Sequence, residues 1–266
     1  MRLVGIHYTR WPCKELDDFV PFVSKAKALG YDQLEVDALT LQRMSQWGRK
    51  RLGFEARNHQ IDLSYSLSPN PGCDVSSLEE DTRKAGILCI QNVIHAIGEM
   101  GGGSLNGPLA GSFPPLGPSG GDKHRLLEQS VLSLRSLMQH CEDEDVMLNL
   151  RPVHRFEHFL LNTADDALSL LHMVNHSNCG IDLDTFSMNI EEPDLGDTIR
   201  KVGPYLHCLH IRDNTGGPVG SGSLDWHAVK QGLDAIYYEG PLVHYIPQTT
   251  SNSLQECKLI RNLLCE

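Results

Sequence analysis

Residues 146–183 decide the fold class, because they read as one strand, one helix and a second strand. The unit opens with Val146-Met147-Leu148-Asn149-Leu150, an apolar run of strand length. Asn162 and Thr163 then precede a helix that ends near Val174, with acidic residues in the first turn where the helix dipole favours negative charge. The run CGIDL at 179–183 is the next strand. This order of elements is typical of a parallel β/α/β unit.

The same alternation continues towards both ends of the chain. Strands are predicted at 3–7, 33–36, 61–66, 102–105, 146–150, 179–183, 206–210 and 241–245. Helices are predicted at 16–29, 42–58, 78–99, 123–142, 163–174, 197–202, 226–233 and 254–264. Eight alternations without a linker predict an α/β fold, a (β/α)8 TIM barrel that forms a single domain over 1–266. Gly101-Gly102-Gly103 lacks the Lys-Ser/Thr of a phosphate loop, so we interpret it as a tight entry into the fourth strand.

Composition and charge exclude several classes of function. The 23 Lys and Arg against 34 Asp and Glu give a net charge of −11, which disfavours nucleic-acid or anionic-membrane binding. No apolar stretch is long enough to span a membrane, and the first apolar run is too short for a signal peptide, so a cytoplasmic location is expected. The 8 Cys form no C-x-x-C pair, and several, such as Cys89, lie in apolar runs. We therefore predict reduced, mostly buried cysteines.

The candidate site lies at the C-terminal ends of the strands, where barrels of this kind place their chemistry. The polar ends are His7, Tyr8, Glu35, Asp37, residues 64–66, Gly103, Ser104, Arg151, Asp184, His210 and Tyr245. His7, Tyr8 and Trp11 are interpreted either as a sugar-stacking wall or as a cover over the mouth. The run HRFEH at 154–158 fits the H-x-x-E-H pattern of zinc peptidases, but it follows a strand and Pro152 rather than lying on a helix. We predict a loop there, with Glu157 pointing into the mouth.

Several runs resemble the D-tagatose/D-psicose 3-epimerase family of ketose epimerases, within the xylose isomerase-like TIM barrels. The distinctive stretch comprises HRFEH at 154–158, LNTA at 161–164 and LDTFSMNIEE at 183–192, of which only the DTFSMNIEE run is highly specific by itself. GIHYTRW at 5–11, LEV at 34–36 and GSGSLDW at 220–226 are similar to other parts of the family pattern. The resemblance covers most of the chain.

The resemblance implies a metal-dependent epimerisation of a ketose at C3. Four strand ends of the family supply a Glu, an Asp, a His and a Glu to a divalent metal, for which Mn²⁺, Co²⁺ or Mg²⁺ is suitable. The metal polarises the carbonyl, and the two Glu carboxylates remove and return a proton through an enediolate. The resemblance also implies a small sugar or polyol ligand, and assembly as homodimers or homotetramers.

Residue by residue, the chain matches only half of that metal site. Asp184 and His210 fall on the family's Asp and His, whereas Arg151 and Tyr245 stand where the two Glu are expected. A shift of one residue to His244 would turn that side chain to the other face of the strand.

Positions that contact substrate in the family are also altered. Ser187 replaces a substrate-binding His, Gly216 or Gly217 replaces an Arg, and Glu157 matches a substrate-contacting Glu.

These departures predict an incomplete metal site at Asp184 and His210, with no cofactor bound. Arg151 is expected to pair with Asp184 and to take over the electrostatic role of the metal. The predicted substrate-binding residues are His7, Trp11, Arg151, Glu157, Ser187 and Tyr245. The candidates for any remaining proton transfer are Glu157, His210 and Glu35.

Three functions are consistent with this pattern. The first is a divergent family member that binds a ketose or polyol at the barrel mouth and has lost the usual epimerisation. The second is an active epimerase or isomerase with an altered or metal-free site. The third is a non-catalytic structural or regulatory partner of an active paralogue.

Overall fold

The computed structural model describes residues 2–11, 18–114, 122–246 and 253–266. Parallel strands pair in chain order, and the first also pairs with the eighth, so the sheet closes into a barrel. The strands are β1 (Val4–His7), β2 (Gln33–Asp37), β3 (Asp62–Ser66), β4 (Gly103–Gly107), β5 (Val146–Leu150), β6 (Cys179–Asp184), β7 (Leu206–Ile211) and β8 (Leu242–His244). The predicted (β/α)8 barrel is confirmed.

Helices connect the strands and cover the outside of the barrel. They are α1 (Val20–Ala28), α2 (Ala38–Arg43), α3 (Gln46–Asn58), α4 (Glu80–Gly98), α5 (Lys123–Asp143), α6 (Ala164–Val174), α7 (Thr185–Glu191), α8 (Leu195–Val202), α9 (Trp226–Ala235) and α10 (Ser253–Leu264). The predicted start of the first helix, at residue 16, lies outside the described residues. Within those ranges, no helix is both long and apolar enough to cross a membrane.

One helical prediction is wrong and one helix is missing from the predictions, both for reasons of capping. The single helix predicted over 42–58 is two helices, because Asp37 accepts a hydrogen bond from the Thr40 amide and Ser45 accepts one from the Gly48 amide. Each side chain caps a new helix start. The helix α7 is absent from the predictions; Asp184, which is predicted as a site residue, accepts a hydrogen bond from the Ser187 amide and caps this helix.

The entry into β4 shows why this segment is rich in glycine. Gly102 has φ +83°, in the left-handed region that side chains disfavour. A Cβ there would also lie 2.4 Å from the carbonyl oxygen of Asp145. The interpretation of this segment as a tight strand entry is therefore confirmed, although the strand begins one residue later and extends to Gly107.

The prediction of reduced cysteines is wrong for one pair. Cys73, in the loop after β3, forms a disulfide with Cys89 of α4. The sequence offered no signal for this pair, because the two residues are 16 apart and become neighbours only when the loop folds back on the helix. Cys141, Cys179, Cys208, Cys257 and Cys265 are free thiols, and Cys13 lies outside the described residues.

Candidate functional site

The C-terminal ends of the strands surround a cavity of about 200 Å³ at the mouth of the barrel. Five residues expected at the site line it: Arg151, Glu157, Asp184, Ser187 and Tyr245. The barrel thus brings together residues from β5, β6, β8 and the loops that follow them. The cavity is lined by both charged and aromatic groups, which suits a small polar ligand.

Arg151 is the residue that departs most from the pattern of the family, and its partner differs from our prediction. Its Nε donates to Oδ2 of Asp182 at 2.6 Å, and its Nη2 lies 2.5 Å from the same oxygen. The expected pairing with Asp184 is wrong. Asp182 lies two residues earlier on β6, on the same face, and the arginine side chain turns down into the barrel to reach it.

His210 lies between two carboxylates. Its Nδ1 is 2.7 Å from Oδ1 of Asp182, and its Nε2 is 2.6 Å from Oε2 of Glu35. The Nη2 of Arg151 lies at nearly equal distances, 2.9 and 3.0 Å, from the two ring nitrogens, so the guanidinium packs against the ring. Burial and Arg151 lower the pKa of His210, but Asp182 and Glu35 outweigh them and raise it well above its usual value. The imidazole is therefore a cation with both N–H groups donated.

Glu35 is fully buried and held in place from two sides. Besides its contact with His210, its Oε1 accepts a hydrogen bond from Nδ2 of Asn106 at 2.7 Å, and Asn106 accepts one from Asn149. Burial alone would raise the pKa of Glu35, but the charge of His210 and its hydrogen bond lower it to about 2. Glu35 and His210, two of the candidates for proton transfer, therefore form an ion pair with each other beneath Arg151.

His7 and Trp11, for which the sequence left open a sugar-stacking wall or a cover over the mouth, pack against other side chains of the protein. His7 is buried below the cavity, where its Nε2 is 3.0 Å from Oγ of Ser66 and its ring packs edge-on against Tyr245. Burial lowers the pKa of His7 to about 3, so the ring is neutral. Trp11 stacks on Phe22 of α1. The described residues that line the cavity include neither His7 nor Trp11.

The two residues compared at the end of β8 face opposite sides, as the alternation of a strand predicts. Tyr245 lines the cavity. His244 points outward, where its Nδ1 lies 2.9 Å from the hydroxyl of Tyr31. His244 therefore cannot take the place of the family's second glutamate in the barrel mouth, because its side chain points away from the mouth.

Asp184 has a separate set of partners. Its Oδ2 accepts hydrogen bonds from the Ser187 amide at 3.0 Å and the Ser187 hydroxyl at 2.8 Å. Arg212 lies 3.6 Å from the same oxygen. Burial raises the pKa of Asp184, but Arg212, Arg151 and Ser187 together lower it below its usual value. Its Oδ1 is buried and has no hydrogen-bond partner among the described residues.

Glu157 lies in the loop after β5, as predicted, with its side chain half exposed beside His154 at 3.5 Å. The H-x-x-E-H run is not helical, and Nε2 of His158 instead lies 3.0 Å from the carbonyl oxygen of Ser112. These positions do not form the two-histidine face that a zinc peptidase requires.

The residues at the family's metal positions do not fit a divalent cation. Both ring nitrogens of His210 face carboxylates, and Asp184 is turned to Ser187 and Arg212. A guanidinium roughly 4–5 Å from a divalent ion would repel it by several kcal/mol at an effective dielectric near 20. Arg151 occupies this region with a fixed positive charge.

A second grouping, Glu35, Cys208 and His210, has potential ligand atoms within 4.8 Å of one another. It belongs to the same buried network. Burial raises the pKa of Cys208 to about 12, and its Sγ lies 3.7 Å from Nδ1 of His210. The grouping does not replace the two missing carboxylates.

Sequence reasoning missed two residues of this site, Asp182 and Arg212. Each lies two positions from a predicted site residue: Asp182 precedes Asp184 on β6, and Arg212 follows His210, just beyond the end of β7. Since alternate residues of a strand share a face, the spacing of two was the available signal.

Comparison with known proteins places this geometry in context. A family profile described as xylose isomerase-like TIM barrel matches residues 23–263. A D-psicose 3-epimerase of Ruminiclostridium cellulolyticum is 30% identical over 239 residues, covering 90% of this chain and 82% of the relative. A D-psicose 3-epimerase of Enterocloster bolteae is 28% identical over 241 residues, covering 90% and 80%. The crystal structure of a D-psicose 3-epimerase with D-tagatose from Clostridium cellulolyticum H10 has a TM-score of 0.89 at 28% identity, covering 98% of this chain and 91% of that one.

Proposed function

Because the chain belongs to the xylose isomerase-like TIM barrel family, we propose that it binds a ketose or related polyol at the barrel mouth without metal-dependent C3 epimerisation. The observation that carries this proposal is the ion cluster beneath the cavity. We call Arg151, His210, Asp182 and Glu35 the charge cluster. It contains two cations and two carboxylates, so its charge is balanced without a metal.

The charge cluster also explains why the usual proton transfers are not expected. Epimerisation at one carbon needs a group to remove a proton from one face and a group to return it to the other. The two positions that supply these groups in the family hold Arg151 and Tyr245. Glu35 is fully buried under Arg151, and Glu157 is half exposed on one side of the cavity only. Within the described ranges the carboxylates that line the cavity are Glu157 and Asp184, and Asp184 accepts two hydrogen bonds from Ser187.

Polyol binding is supported by the polar groups that remain in the cavity. Asp184 presents a buried oxygen without a partner, and hydroxyl groups are provided by Ser68, Ser187 and Tyr245. A sugar offers many hydroxyl donors and acceptors, so it can satisfy these groups on binding. An apolar ligand would leave the Asp184 oxygen unsatisfied at a cost of about 1–3 kcal/mol.

The test combines activity with binding. The protein is incubated with a panel of ketohexoses and Mn²⁺ or Co²⁺, and the products are separated by sugar chromatography. Thermal shifts with the same sugars measure binding, since a ligand at 100 times its Kd stabilises by about 2.7 kcal/mol. We expect at least one sugar to raise the melting temperature, and no C3 epimer to form.

The other outcomes have defined meanings. Formation of a C3 epimer would contradict the proposal and favour an active enzyme with an altered site. Absence of any thermal shift would also contradict it and favour a non-catalytic partner of an active paralogue. The variant Asp184→Asn should lose the sugar-dependent shift, whereas the matched variant Asp197→Asn, on the exposed face of α8, should retain it.

A further inference from the structure

Arg212 provides a cation in the cavity wall that the proposed function does not yet use. It follows the last residue of β7, so its side chain lies on the same face as His210 but one layer nearer the mouth. The guanidinium carbon is 4.2 Å from the ring centroid of Phe186 and 5.1 Å from that of Tyr245. The two rings hold the planar group in one orientation.

The hydrogen-bonding groups of Arg212 are largely unmet. Among the described residues its side chain makes no hydrogen bond, and its Nε is buried without a partner. Its nearest carboxylate oxygen, Oδ2 of Asp184, is 3.6 Å away and already accepts two hydrogen bonds from Ser187. Arg151, by contrast, contacts Asp182 through both Nε and Nη2 and packs on His210. A partly desolvated guanidinium without acceptors is costly unless a ligand supplies them.

We propose that the ligand is a sugar acid, whose carboxylate binds Arg212 and whose hydroxyl groups donate to Asp184 and its neighbours. This inference rests on the proposed function and names the ligand class for the same cavity. A carboxylate is planar and matches two parallel N–H groups of a guanidinium. Asp184 Oδ1, buried and without a partner, provides the acceptor for a hydroxyl next to the acid.

The charge of the cavity favours a single negative charge on the ligand. The cationic side chains that line it in the described part of the chain are Arg151 and Arg212, and Arg151 is neutralised by Asp182. Asp184 and Glu157 add negative charge to the walls. A phosphate dianion would therefore meet one available guanidinium and two carboxylates, whereas a carboxylate requires only the one guanidinium.

The test uses pairs of ligands that differ at one carbon. Each ketohexose is matched with its 2-keto acid, in which the C1 hydroxymethyl group is a carboxylate, as in D-fructose and 2-keto-D-gluconate. D-fructose 6-phosphate provides the phosphate arm. Calorimetric titration at constant ionic strength measures each Kd. We expect at least one 2-keto acid to bind tenfold or more tightly than its ketose and more tightly than the phosphate ester.

Variants then assign the preference to Arg212. Arg212→Gln should bring the ratio of the two Kd values close to one, and Arg212→Lys should give an intermediate ratio because it cannot bind the carboxylate with two N–H groups. The matched control Arg200→Gln removes an exposed arginine of α8 and should leave the ratio unchanged. Melting curves check that each variant is folded.

The results separate this inference from the proposed function. Ketoses that bind as tightly as their acids, or a ratio unaffected by Arg212→Gln, would overturn the sugar-acid assignment while leaving polyol binding in place. Tightest binding of the phosphate ester would overturn it in favour of a sugar phosphate. If neither ketoses nor acids bind, the proposed function fails together with it.

Discussion

Asp182 lies at the centre of the charge cluster, and its replacement tests how that cluster is held together. The side chain is fully buried and accepts from Nε and Nη2 of Arg151 and from Nδ1 of His210, at 2.5–2.7 Å. Asp182→Asn keeps the shape but leaves one oxygen for two cationic partners, and its amide then faces an N–H donor. Hydrogen bonds to charged groups contribute roughly 1.5–3 kcal/mol each, and breaking a buried ion pair costs about 3–5 kcal/mol. We expect the free energy of unfolding to fall by about 3–5 kcal/mol.

Equilibrium unfolding in urea measures this change, with a control and a rescue. Asp225→Asn is the matched control, because Asp225 caps α9 at the surface and asparagine caps equally well, so its effect should stay within about 0.5 kcal/mol. Arg151→Met in the Asp182→Asn background removes the unpaired cation and should recover part of the lost stability. The reasoning is refuted if Asp182→Asn unfolds like the control, or if removing Arg151 makes the variant less stable still.

Three further predictions concern the scaffold. Burial lowers the pKa of His244 to about 3, so its contribution to stability is present above about pH 6.5 and is lost as the pH falls towards 3, at about 1.4 kcal/mol per pH unit. The free energy of unfolding in urea should therefore differ less between pH 7 and pH 5 for His244→Gln than for the wild type. An equal difference for the two proteins would contradict the assignment. Replacing Cys73 and Cys89 with serine should lower the free energy of unfolding by about 3 kcal/mol, because the disulfide closes a loop over 16 residues. Wild-type protein that loses no stability on treatment with dithiothreitol would speak against the bond. Gly102→Ala should lower the free energy of unfolding by at least about 2 kcal/mol, through backbone strain and a clash with the backbone of Asp145. Gly101→Ala meets only the strain of a positive φ, with open space around it, and should lower it by about 1 kcal/mol. Similar melting temperatures for the two variants would contradict this account.

The barrel itself could be predicted from the sequence, because its signal is local. Apolar runs of strand length alternate with amphipathic helices along the whole chain, and neither signal depends on distant contacts. The errors arise where one polar residue both ends a strand and caps the helix that follows it. Asp37 ends β2 and caps α2, and Asp184 ends β6 and caps α7. If each of these two residues is assigned only to its strand, the helix that it caps, α2 or α7, is missed.

The site could be predicted only in part, because its partners are set by distances across the barrel. The positions of Arg151 and Asp184 at neighbouring strand ends made their pairing a reasonable expectation. A long arginine side chain can also reach one layer down, where Asp182 is fully buried and has His210 beside it. The choice between the two carboxylates depends on burial and on the second cation, and neither is visible in the sequence. Arg212 was missed because it lies two residues beyond the predicted end of its strand, and Phe186 and Tyr245 enclose it only in the folded barrel.

The central claim is that the charge cluster stands where the family binds a metal, and a metal titration tests it most directly. Protein purified without chelator is analysed for bound metal and then titrated with Mn²⁺ and Co²⁺ by calorimetry, beside the variant Arg151→Glu with Tyr245→Glu, which restores both carboxylates of the family pattern. Our account predicts no bound metal and no saturable heat for the wild type, and tight binding of one ion per chain for the variant. One tightly bound Mn²⁺ or Co²⁺ in the wild type would contradict it.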